Sequence, residues 1–265
     1  MKILNGVKLK IPPPFLAFLP SMNVPHPHLV PHYCKRLPLP LVENCNTSLT
    51  HVTIAVAGGD SDVLVDDVSL ALPHGTRTAL IGRSGSGKSL IAAALTRRLP
   101  HSMALTGRVQ APRRAILIHQ DSSDALNPIV RVGQQLSHTG AADEAIVDTL
   151  LQLGFEDPDA VSSCFPAELS GGQRQRLTIA MGLLAGAELI IADESTTALD
   201  PVNQQAVTEA LNAVTDAAVL FITHDIALAA ACCDRLYVLD AGRIVESGRL
   251  TDVVAHPSSH VTRAS

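Results

Sequence analysis

Between Gly82 and Ser89 the chain reads G-R-S-G-S-G-K-S, which satisfies the Walker A pattern G-x-x-x-x-G-K-[ST] at every fixed position. Gly82, Gly85 and Gly87 permit backbone turns closed to residues with a Cβ, so successive N–H groups can point inward around phosphate oxygens. Arg83, Ser84 and Ser86 occupy the variable positions of the same cradle. Lys88 would bridge the β- and γ-phosphates as a point charge, and the Ser89 hydroxyl is the hard oxygen donor that Mg²⁺ prefers. The chemistry implied is nucleoside triphosphate binding.

Two further stretches could act on such a ligand. Leu189-Ile190-Ile191-Ala192 is an apolar run ending in Asp193 and Glu194. As a strand beside the Walker A strand, it would set Asp193 next to Mg²⁺ through water and Glu194 where it can polarise an attacking water. Leu169-Ser170-Gly171-Gly172-Gln173 opens an apolar helix that runs to Leu184. Ser170 can cap that helix while the two glycines allow close approach to a phosphate, which makes a second anion site.

These groups need a scaffold of strands and helices. Thr78-Ala79-Leu80-Ile81 reads as a buried strand entering the loop and Leu90 to Leu95 as a helix leaving it. Upstream, Leu49 to Ala57 alternates as a half-buried strand. Gly58-Gly59-Asp60 reads as a turn, Val63 to Leu72 as an antiparallel partner, and Pro73-His74-Gly75 as the turn into the Walker A strand. Thr106 to Gln110 and Ala115 to His119 are short strands, the second delivering Gln120 at its end. From Asp121 to Glu168 the pattern is helical, punctuated by Gly133, Gly154 and Pro158. Strands return at Leu189 to Ala192 and Val219 to Thr223, each followed by a helix. The alternation argues for an α/β core interrupted by a helical insert at about 121–169.

Composition narrows the class. A length of 265 residues with 46% hydrophobic content supports a substantial core. A net charge of −5 gives no electrostatic footprint for nucleic acid, and aromatics at 3% with no Trp argue against base-stacking platforms. The five cysteines, at 34, 45, 164, 232 and 233, show no C-x-x-C pairing and read as reduced thiols, with Cys232 and Cys233 as small core residues. No apolar run approaches the roughly 18 residues needed to cross a bilayer. Residues 1–48 form a proline-rich extension, with nine prolines from Ile11 to Pro40 and no helical or strand period, so it reads as unstructured. His26, His28, His32 and Cys34 within it lack a fixed turn geometry that would make them a metal site.

The ordered set of motifs resembles the ATP-binding cassette family over roughly residues 49–265, because L-S-G-G-Q is that family's signature. Gln120 resembles the Q-loop glutamine, Ala198-Leu199-Asp200 the D-loop, and His224 the switch histidine near the γ-phosphate. The resemblance implies a P-loop cassette with an antiparallel β subdomain and a helical subdomain. It implies ATP and Mg²⁺ as ligands, with Ser89, Gln120 and Asp193 around the metal and Glu194 and His224 in catalysis. Ser170 to Gln173 would then cover the nucleotide of a second ATP-binding subunit, expected to be a paralogue. Two transmembrane permease subunits and an extracytoplasmic solute-binding protein would complete the assembly, with this chain peripheral on the cytoplasmic face of the inner membrane. Gln120 followed by Leu126-Asn127-Pro128, and the ending His256-Pro257 to Thr262-Arg263, resemble the importers for peptides and nickel. The sequence ends before the longer tail of oligopeptide-type members and so resembles the nickel-import subunit, with nickel or a metal complex as the expected cargo and di- or oligopeptides as the alternative. Two positions depart from the family: Ser195 stands where Pro usually follows the Walker B glutamate, and Val56 to Val63 lacks the aromatic that commonly stacks on adenine.

Overall fold

The structure is a computed structural model that describes residues 46–58, 62–118, 126–193, 208–257, 259 and 262. The proline-rich extension up to residue 45, Gln120, Glu194, Ser195 and the Ala198–Asp200 stretch lie outside the described residues.

Two sheets carry the architecture. The first is antiparallel in the order β2-β1-β4, formed by β1 (Ser48–Val56), β2 (Val63–Ala71) and β4 (Met103–Gln110). Strand β1 alternates: Val52 and Ile54 are fully buried while Thr53 and Ala55 are half-buried, as expected for a sheet with one solvated face. The second sheet runs β5-β6-β7-β3-β8-β9. It comprises β3 (Arg77–Gly82), β5 (Ala115–Ile118), β6 (Leu189–Asp193), β7 (Ala218–Thr223), β8 (Arg235–Asp240) and β9 (Arg243–Arg249). All its neighbours are parallel except β8 and β9. The continuous apolar runs of β3, β6 and β7 follow from that position, because helices cover both faces of a parallel sheet.

Between the sheets' strands come α1 (Lys88–Leu95), α2 (Val132–Ser137), α3 (Asp143–Gln152), α4 (Pro158–Ser163), α5 (Gly171–Leu184), a helix α6 of which residues 208–212 are described, α7 (Ile226–Cys232) and α8 (Leu250–Ala255). One core cluster joins the helical insert to the sheet, with Leu136, Leu150 and Leu177 packed together with Ile190, Val219 and Phe221. A second, on β3 and β8, buries Ala79, Ile81, Leu236 and Val238 against Ala229 and Leu250. No helix among the described residues is long and apolar enough to cross a membrane.

Several expectations need correction. The Walker B strand β6 does not lie beside β3, since β7 sits between them and pairs with both. Gly133 does not punctuate the insert: it lies inside α2, where a Cβ would come within 2.9 Å of Ser162 Cβ, so glycine lets α2 and α4 approach closely. Gly154, by contrast, does close α3, with φ +77° and its N–H donating to Leu151 O at 3.0 Å. Cys232 is buried as expected, whereas Cys233 is only half-buried. The strands β8 and β9 go beyond the sequence reading. They form a hairpin whose two-residue turn, Ala241 and Gly242, has φ +45° and +77°, the left-handed pair of a type I′ turn. Thr262 of the terminal motif is buried, and its hydroxyl donates to Glu246 Oε2 on β9 at 2.6 Å.

Candidate nucleotide site

The loop from β3 to α1 is built as a cradle. Gly85 and Gly87 have φ of +78° and +105°, a region that costs an L-residue about 1–2 kcal/mol. Gly82 serves differently from the expectation: its φ is not positive, and its need is space, because a Cβ there would run into the Leu239 carbonyl oxygen of β8. Gly87 is also the N-cap of α1, so no side chain caps the helix and no acidic residue occupies its first turn. The positive end of α1 is therefore left for an anion. Ser86 is buried, and its Oγ has no hydrogen-bond partner among the described residues. Arg83, Ser84 and Gly85 form the exposed rim.

Lys88 is only 7% exposed, and its Nζ donates to the carbonyl oxygens of Gly82 at 2.8 Å and Arg83 at 3.0 Å. The ammonium is thereby held within the loop. Ser89, one residue on, donates its hydroxyl to Asp193 Oδ2 at 3.2 Å. The interposed β7 does not separate the two motifs, because α1 packs against both β3 and β6 and its first turn carries Ser89 to the end of β6. A hydroxyl and a carboxylate at this spacing fit a hard cation such as Mg²⁺.

His224 follows directly on β7. In the parallel register Thr223 stands opposite Ile81, and Ile222 opposite Asp193, so His224 emerges at the same edge of the sheet as the phosphate loop and Asp193. Its side chain is exposed. Asp225 has a structural task, accepting from the N–H groups of Ala227 at 2.8 Å and Leu228 at 3.1 Å to cap α7.

Ser170 caps α5 by a reciprocal arrangement. Its Oγ accepts from Gln173 N at 3.2 Å, and Gln173 Oε1 accepts from Ser170 N at 2.8 Å. These hydrogen bonds lie within the helix terminus and do not involve residues 82–89 of the same chain. Gly172 is buried and Gly171 half-buried. Behind the turn, Arg176 donates to Leu153 O at 3.0 Å and Gly154 O at 2.8 Å and stacks 4.6 Å over the Phe155 ring. Burial holds its guanidinium below the usual range. This arginine ties α5 to the end of α3, so the signature turn is anchored to the helical insert.

Sequence reasoning missed the support given by the β8–β9 turn. Gly242 N–H donates to Ser86 O at 3.1 Å, and Gly242 O accepts from Asp66 N at 2.8 Å, while Arg243 pairs with Asp66. The turn thus braces the phosphate loop against β2. The stretch Asp240-Ala241-Gly242-Arg243 between two apolar runs was the available signal.

A glycine cradle at the end of a buried parallel strand, with lysine, serine and an acidic strand end converging on it, defines a P-loop domain for nucleoside triphosphates. The family model for ABC transporters matches residues 65–197. The chain belongs to the ABC transporter family and carries its ATP-binding ATPase cassette. It is 36% identical to the probable D,D-dipeptide transport ATP-binding protein DdpD of Escherichia coli, over 78% of this chain and 72% of that protein. It is 32% identical to the metal-staphylopine import system ATP-binding protein CntD of Staphylococcus aureus, over 82% of this chain and 90% of that one. Other curated relatives are longer, and the chain spans only 43% and 39% of two of them. Among solved structures, CbiO1 from Clostridium perfringens, part of the ABC transporter complex CbiONQ, superposes with a TM-score of 0.67 at 22% identity, over 81% of this chain and 92% of that one. That likeness bears out the cassette fold.

Proposed function

We propose that this chain hydrolyses ATP as one of a pair of cassette subunits and so energises an importer for a small solute, either a metal complex or a di- or oligopeptide. The observation that carries the proposal is the 3.2 Å approach of Ser89 Oγ to Asp193 Oδ2 beside a loop that already holds Lys88. Mg²⁺ held at this site would supply positive charge to offset the negative charge that develops on the phosphates. Ser89 and Asp193 would hold the ion, with Gln120 completing the set. Lys88 would leave the Gly82 and Arg83 carbonyls for the phosphates. Glu194, next after Asp193, would take a proton from the attacking water, and His224 would orient the γ-phosphate from the end of β7. Ser170 to Gln173, bonded to one another within their own helix terminus, would close over the nucleotide of a partner subunit.

The partners follow from the same reading: a paralogous ATP-binding subunit, two permease subunits at the cytoplasmic face of the membrane, and a solute-binding protein beyond it. Relatives named for dipeptide and metal-staphylopine transport support the two cargo classes alike, and the terminal motif resembles importers for peptides and for nickel. A second reading is a nucleotide-gated subunit with little turnover, for which Ser195 in place of proline is the motivating observation. Uptake by vesicles holding the assembled complex tests both. The proposal expects ATP-dependent accumulation of a nickel chelate or a dipeptide that Lys88→Ala abolishes; ATP-dependent assembly without uptake or hydrolysis would overturn it in favour of the second reading.

A further inference from the structure

Three residues of the phosphate loop are held in place by backbone from segments distant in sequence. Gly82 packs against the Leu239 carbonyl oxygen of β8, leaving no room for a Cβ. Gly87 lies against β2, where a Cβ would come within 2.9 Å of Val65 Cγ2 and 3.2 Å of Leu64 O. Ser86 offers its carbonyl oxygen to the Gly242 N–H at 3.1 Å. The same Leu64 oxygen also meets Gly242, at 2.5 Å from a Cβ built there. Loop, β2 and the β8–β9 turn therefore close a three-way contact, and the buried Gly242 is bonded to both of the others.

This contact orients one peptide unit. A peptide bond is planar and trans, so a carbonyl and the N–H that follows it point in opposite directions. With Ser86 O turned toward Gly242, the Gly87 N–H points away from the turn. Gly87 is the N-cap of α1, so this N–H belongs to the positive helix end left for an anion. A donor fixed in direction before its ligand arrives is pre-organised, which strengthens binding by lowering the cost of ordering. Gly242 is itself held: its carbonyl accepts from Asp66 N–H at 2.8 Å, and the Arg243 guanidinium pairs with the Asp66 carboxylate.

Resting on the reading that Gly82–Ser89 holds the triphosphate, we infer that Gly242 is a positioning residue for the phosphates, setting the direction of the Gly87 N–H, and that the Asp66–Arg243 pair locks it there. Only glycine suits the place, because φ is +77° and the obstacle to a Cβ is the Leu64 backbone. The ion pair is the weaker part of the device. Its side chains are 36% exposed at Asp66 and 61% at Arg243, and exposed pairs contribute little singly. The backbone bridge from Asp66 through Gly242 to Ser86 is the stronger part, since it spans β2 and the loop with two hydrogen bonds on one residue.

Equilibrium binding of ATP and of inorganic tripolyphosphate, each with Mg²⁺, tests this on the purified chain, with thermal unfolding measured alongside. Gly242→Ala should weaken both ligands by the same factor, about tenfold, because the lesion acts on the phosphates. Asp66→Arg, which sets like charges together, should weaken both about fivefold, and the exchange D66R/R243D should restore them to within about twofold of the unaltered chain. Gly75→Ala is the structural control: with φ +68° just before β3 and a Cβ 3.2 Å from Thr215 O, it strains the other end of the strand. It should lower the melting temperature and leave tripolyphosphate affinity unchanged. Unaltered tripolyphosphate binding in Gly242→Ala, an equal loss in Gly75→Ala, or no recovery in D66R/R243D would overturn the inference. Lys88→Ala separates the two levels: tripolyphosphate binding that survives this change would instead refute the placement of the phosphates.

Discussion

Ser89 Oγ, at the start of α1, and Asp193 Oδ2, at the end of β6, meet at 3.2 Å although β3, the strand that leads into α1, is not a neighbour of β6 in the sheet. The contact joins the first and second motifs without the strand adjacency that sequence order suggests. If both residues hold one Mg²⁺, they act as a unit and their effects do not add.

Ser89→Ala and Asp193→Asn should each raise the Mg²⁺ concentration for half-maximal ATP hydrolysis by about 10- to 100-fold. The double variant should fall little further than the worse single one. Titrating Mg²⁺ at saturating ATP for all four proteins measures this; multiplicative losses would show that the two side chains serve separate ends.

The loop glycines should respond differently to alanine. At Gly85 an added methyl would meet no atom within 4 Å, so only the positive φ opposes the change, at a cost of about 1 kcal/mol. Gly82→Ala drives a methyl into the Leu239 carbonyl, which is backbone and cannot turn aside, and should cost about 3 kcal/mol. In thermal unfolding at about 2–4 °C per kcal/mol, the Gly82 variant should melt well below the Gly85 variant. Equal melting temperatures would contradict the packing of β3 on β8.

Cys233, at the C-terminal end of α7, offers a pH-dependent test of the packing between α7 and β8. Its neighbour Cys232 and its own burial push the thiol well above its ordinary value of 9.0. A raised folded-state value means less thiolate, so alkylation of Cys233, followed by peptide mass spectrometry, should stay slow through pH 9. The same sign governs stability. The unfolded thiol ionises near 9.0 while the folded one does not, so this contribution is intact below that pH and is lost as pH rises toward the folded value. Rapid modification of Cys233 in the folded protein at pH 8 would contradict it.

Much of the site was legible because its requirements are local. A loop that must turn left-handed needs glycine at 85 and 87, a capping box needs Ser170 and Gln173 three apart, and β3, β6 and β7, buried on both faces, need continuous apolar runs. What stayed hidden depends on partners distant in sequence. The place of β7 between β3 and β6 is a matter of sheet order, which no run of residues encodes on its own. The reason for Gly82 lies in Leu239, over 150 positions away, and the brace from Gly242 to Ser86 spans a similar gap. Gly133 misled for the same cause: glycine can serve a turn or a close helix crossing, and only the neighbouring Ser162 decides which.

The central claim is that this cassette performs hydrolysis and does not merely bind ATP. The most direct measurement is steady-state ATP turnover of the assembled complex with Glu194→Gln, alongside ATP binding by the same protein. Loss of the carboxylate base should lower turnover by about 10²- to 10⁴-fold while ATP affinity is retained. Unchanged hydrolysis in Glu194→Gln would contradict the account.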